Sequence, residues 1–166
     1  MKSYFSLSVL FLLCILLYGC PLNTDYPLDD KQHPIDSSIC GKWRSEKQED
    51  YMECVIAKKN KTTYKITTKQ ISKAGYQVTF YNAYYTQLNH KPWLVLFSVD
   101  TNDHKFMPVK LDFSNSKNTM LVSWINEKLS PEGTNPKELR EWIEKHYNDD
   151  GFFDAINYAN IYHRIQ

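Results

Sequence analysis

The chain has 166 residues, 42% of them hydrophobic, with 20 Lys or Arg against 19 Asp or Glu and a net charge of +1. That length suits one domain around one core, and the balanced charge excludes the basic footprint that nucleic-acid binding requires. With only five glycines, the chain also has no Gly-rich phosphate loop, and no nucleotide cofactor is expected.

Lys2 begins the chain, and residues 4–18 carry no charge, a run shorter than the roughly 20 residues a spanning helix needs. Residues 1–19 therefore read as a cleaved export signal. Ordinary signal cleavage wants small residues first and third before the cut, and the third position before Cys20 is Leu17. The order Leu17, Tyr18, Gly19, Cys20 instead resembles the lipobox of bacterial lipoproteins. The resemblance implies that Cys20 is lipidated on sulfur with palmitate-like chains and becomes the first mature residue. The alternatives are an uncleaved signal anchor and a plain secretory peptide whose Cys is coincidental. Several acyl chains on one residue hold a protein at a membrane effectively permanently. Pro21 stands where lipoproteins kept at the inner membrane carry Asp, which implies an outer-membrane location facing the periplasm. Removing residues 1–19 takes away Lys2 and no acid, leaving a neutral mature chain.

Residues 20–38 include Pro21, Pro27 and Pro34, four aspartates and no hydrophobic period, and are predicted to be a flexible tether. Asp29, Asp30, His33 and Asp36 suggest metal ligands by type, but a proline-broken segment has no means of fixing their geometry, and no metal is expected.

Beyond residue 38 the chain changes to short runs rich in β-branched and aromatic residues. Strands are predicted at 39–45, 51–58, 62–68, 76–86, 93–99, 106–113 and 119–125. The connections are short and turn-like, as at the "KKNK" run of residues 58–61, which implies an antiparallel meander. Asn135 as N-cap, Pro136 at the first helical position and Glu138 three residues after the cap start a helix over 136–147. Leu139, Trp142, Ile143 and Tyr147 give it one apolar stripe, predicted to lie on the outside or the open end of the sheet. A last strand is predicted over 157–165. Curling such a meander into a barrel pairs its exposed edges and covers its inner face.

Gly41-Lys42-Trp43, a G-x-W in the first strand, together with the order meander, helix, final strand, resembles the lipocalins. The resemblance covers 39–166 and implies a mainly β fold, a closed antiparallel barrel of seven or eight strands with one C-terminal helix and a final strand. It further implies that Trp43 plugs the base of the barrel beneath a late Arg, for which Arg164 is the first choice and Arg140 the second. The "PID" of residues 34–36, the "GKW" and a Tyr-led second strand are also similar to small bacterial envelope lipoproteins, a group with no reaction to carry over.

Alternation places Val78, Phe80 and Tyr84 of the fourth strand and Trp93, Val95 and Phe97 of the fifth on single faces, read as interior. Such side chains either fill a small barrel or line a cavity for a small apolar ligand, with Val78, Phe80, Trp93, Val95 and Phe97 as its lining. Tyr81, Tyr85, Tyr158 and Tyr162 fall on the other parity and are predicted to form an exposed patch for a protein partner in the envelope.

Cys40 and Cys54 remain once Cys20 is lipidated. A hairpin near Lys47 sets them almost opposite, closing a loop of about 15 residues worth about 3 kcal/mol if oxidised. The polar neighbours of Cys40 and apolar neighbours of Cys54 conflict in parity, so two free thiols stand as the other reading. No G-x-S-x-G, C-x-x-C or H-E-x-x-H motif occurs, and the chain is read as non-enzymatic.

Overall fold

The computed structural model describes residues 22–29, 33–46, 51–73, 75–99, 105–129, 131, 135–154 and 160–165. Cys20 and the lipobox, Tyr158 and the start of the predicted last strand lie outside them. Eight strands follow one another: β1 (Gly41–Ser45), β2 (Met52–Lys58), β3 (Thr63–Ser72), β4 (Gly75–Leu88), β5 (Lys91–Ser98), β6 (Phe106–Phe113), β7 (Thr119–Trp124) and β8 (Ile161–Ile165). Each pairs antiparallel with its neighbours in sequence, and β8 closes onto β1, making a closed barrel. One helix, α1 (Pro136–His146), lies between β7 and β8. Among the described residues no helix is long and apolar enough to cross a membrane.

Closure follows from period-two alternation. Cys54 and Ile56 of β2 and Tyr64 and Ile66 of β3 are buried, while Val55 and Lys65 between them are exposed. The inner set continues through Ala83, Leu94, Leu96, Val109, Leu111, Met120, Val122 and Tyr162 to form the barrel core.

A second core lies outside the barrel. Tyr84, Leu88, Trp93 and Val95 point outward and pack with Leu139 and Ile143 of α1, Phe152 and Ile125. The helix starts as its sequence dictates, with the Asn135 side chain accepting from the Glu138 amide at 3.1 Å and Pro136 just inside.

The tether prediction is corrected over residues 22–29. The Leu22 amide donates to the Ile125 carbonyl at 3.3 Å, Thr24 pairs with Phe106, and the Leu28 amide donates to the Tyr84 hydroxyl at 3.1 Å. Leu22 and Leu28 are buried in the outer core. Each such leucine contributes about 1.5–3 kcal/mol towards holding a proline-rich strap that lacks regular structure, and the hydrogen bonds to Ile125, Phe106 and Tyr84 add to it.

Candidate functional site

One end of the barrel is closed by the strap's continuation. A 3-10 turn, Ser37–Ile39, is capped by Asp36, whose side chain accepts from the Ser38 amide at 2.8 Å. That bond, opposed by partial burial and aided by Lys117, holds the Asp36 carboxyl below its ordinary range. The Asp36 amide donates to the buried Tyr64 hydroxyl at 2.8 Å, which donates back to the Asp36 carbonyl at 3.3 Å. Burial pushes the Tyr64 phenol well above its ordinary range.

Beneath this turn lies Trp43, fully buried, its indole N–H donating to the Ile39 carbonyl at 3.1 Å. Arg164, opposite Trp43 in the β1–β8 register, sets its guanidinium 4.4 Å from the ring centroid. The guanidinium also donates to the carbonyls of Cys40 at 2.8 Å and Ser38 at 2.6 Å. It thus ties the 3-10 turn to the last strand. Arg140 is elsewhere, bonded outside the barrel to Asp29 at 3.2 Å and to the Gln87 carbonyl at 2.5 Å.

Among the described residues the interior above Trp43 holds a cavity of about 60 Å³ lined by Cys54, Ile56, Leu94, Leu96, Leu111 and Tyr162, against the roughly 300 Å³ or more of a small-molecule site. The Tyr162 hydroxyl meets the Met52 sulfur at 3.2 Å. Burial pushes the Cys54 thiol up to about 12, which keeps it protonated and unreactive at neutral pH.

Several predicted placements are corrected. Trp93, Val95 and Phe97 do not line the interior; they face outward, beneath α1 and its flanking aromatics. Val78 and Phe80 share that outward parity but lie beyond the helix and are exposed. Tyr81, Tyr85 and Tyr162, expected to form the exposed patch, pack against or within the inner core. The face of β5 was ambiguous because residues 92–97, Pro-Trp-Leu-Val-Leu-Phe, are apolar on both parities. An unbroken run of this kind marks a strand covered on both faces, and the helical stripe of Leu139 and Ile143 was the signal for what covers it.

The disulfide is likewise not formed: both thiols are free. Cys54 pairs across the ladder with Trp43, three residues beyond Cys40, so the sulfurs do not face one another. Burial, then the Asp36 charge, raises the Cys40 thiol above its ordinary value.

An open polar groove runs along Asp29, His33, Gln87, His90, Arg140 and Glu144. Its charges satisfy one another: Asp29 accepts from Arg140 and, at 3.1 Å, from the Thr86 hydroxyl, while Arg140 lies 3.5 Å from Glu144. Among the described residues no three His, Cys, Asp or Glu gather as a metal site would require.

No family model, curated protein or solved structure matches the chain.

Proposed function

We propose that this is a lipid-anchored bacterial envelope protein, attached through Cys20 to the outer membrane on its periplasmic side, whose barrel acts without catalysis by engaging another envelope component through its outer surface. A surface role is supported by one contrast. The cavity that the described residues enclose in the interior is only about 60 Å³, whereas Tyr76, Val78 and Phe80 stand exposed in a row on the outer face of β4. Apolar side chains that adjoin on a surface mark a site of association. The same small cavity weighs against the alternative of an apolar-ligand binder, since it has room for only a few atoms. Anchoring rests on the uncharged run that ends in Leu-Tyr-Gly-Cys.

Metabolic labelling with an alkyne fatty acid tests the anchor. The wild-type chain is expected to take up label and fractionate with membranes, and Cys20→Ser to do neither; equal label on both would overturn the proposal.

A further inference from the structure

We infer that the barrel rim carrying the β3–β4 turn faces the lipid surface, with Tyr76, Val78, Phe80 and Val99 seated at the headgroup level. The inference rests on the lipidation of Cys20 proposed above and names the lipid itself as the component engaged.

Three observations converge on this rim. The first is where the chain arrives. β3 ends and β4 begins here, β5 ends here, and β6 starts here at Phe106, which pairs with Thr24. Leu22 is bonded to Ile125, just past the end of β7. Cys20 is two residues ahead of Leu22, a reach of at most about 7 Å. A lipidated Cys20 therefore holds the β7 side of this rim close to the bilayer, because the strap that follows is packed down and cannot act as a spacer, and the β3–β4 turn stands on the same rim across the closed barrel.

The second is what the rim exposes. Among the described residues the exposed large apolar side chains are Tyr26, Val55, Tyr76, Val78, Phe80 and Val99, and all but Val55 lie at this end. Tyr76 is the most open, at 71%. The opposite end is closed by the 3-10 turn and the Arg164 cluster.

The third is charge on the β3–β4 hairpin itself, the rest of this rim being mixed, with Asp25 paired to Lys105 and Glu127 next to Lys128. Residues 63–80 carry Lys65, Lys69 and Lys73 and no acid. Lys69 lies 4.6 Å from the Tyr76 ring and Lys65 5.8 Å from that of Phe80. Rings flanked by ammonium groups suit the membrane interface, where aromatic bodies meet acyl chains and cations meet anionic headgroups. An anchor plus such a patch supplies two attachment signals, which together fix orientation as well as location. The competing occupant is a protein strand. Residues 75–80 of β4 pair only with β3 among the described residues, leaving an edge to which a strand could add. The anchor's reach and the lysines favour lipid.

The test uses the full chain, made with its own signal in a lipidating bacterium and placed in vesicles of phosphatidylethanolamine and phosphatidylglycerol with brominated acyl chains. Tyr76→Trp adds an indole at the proposed rim and Lys61→Trp one at the opposite rim, each read against the wild-type background. Bromine is expected to remove about half or more of the added emission of Tyr76→Trp and little of that of Lys61→Trp. Intact mass of the same samples separates the two claims. A Cys20 without acyl mass overturns the anchor and this inference with it. A lipidated chain quenched only in Lys61→Trp, or equally in both variants, overturns the orientation alone. A lipidated chain quenched in neither places both rims clear of the lipid and also overturns the orientation.

Discussion

A methyl group added at Gly41 would stand 2.6 Å from Nη1 of Arg164. The glycine of the G-x-W is thus the space into which the last strand's guanidinium enters to cover Trp43, and its φ of +152° is one that other residues rarely adopt. Gly41→Ala is expected to cost about 1–3 kcal/mol through overpacking and strain. Urea denaturation measures it; an unchanged midpoint would mean that Arg164 moves aside freely.

Trp43→Ala removes a fully buried ring and should cost about 3–5 kcal/mol. Arg164→Ala should cost less, about 1–3 kcal/mol, through the carbonyls it leaves unpaired. Because both changes act at one spot, the double mutant should fall short of the sum of the singles. A denaturant series on the four proteins decides it, and strict additivity would show that the stacking carries no energy.

The strap is open to test at Leu28, buried against the outer core. Leu28→Ala is expected to cost about 2–5 kcal/mol, and Tyr84→Phe, which removes the hydroxyl bonded to the Leu28 amide, about 1 kcal/mol. A free tether would show neither effect in thermal unfolding.

Val78 and Val95 share one parity yet differ in surroundings, the first exposed and the second fully buried under α1. Val78→Ala should change stability by no more than about 0.5 kcal/mol, whereas Val95→Ala should cost about 1–3 kcal/mol. Equal effects, read by chemical denaturation, would contradict the placement of the helix.

The Cys54 thiol rises from 9.0 to about 12 on burial, so the folded state keeps its proton where the unfolded state loses it. Stability is fully present below pH 9 and falls as pH rises towards 12. Between pH 9 and 10 the loss from this group is about 1 kcal/mol, and Cys54→Val should flatten it. The buried phenols of Tyr64 and Tyr162, also raised by burial, add their losses from pH 10 upward. Stability measured at stepped pH in both proteins checks the assignment.

What was legible in the sequence was whatever local chemistry dictates. Alternation in β2 and β3, the turn at residues 58–61 and the Asn135-Pro136 start of α1 each specify their structure through neighbouring residues. The pairing of G-x-W with a late Arg was readable only by resemblance, because Gly41 and Arg164 are far apart in sequence and nothing local to either requires the other. The errors lie where a strand is apolar on both parities. In β5, periodicity separates the two faces but cannot say which points inward. Barrel closure and the helix together decided that: the interior takes Leu94 and Leu96, and α1 covers Trp93 and Val95 from outside. The strap has the same explanation, since Leu22 and Leu28 lie among prolines and aspartates with no period of their own. Only the outer groove left between helix and barrel makes their burial favourable, and that groove exists once the tertiary structure has formed.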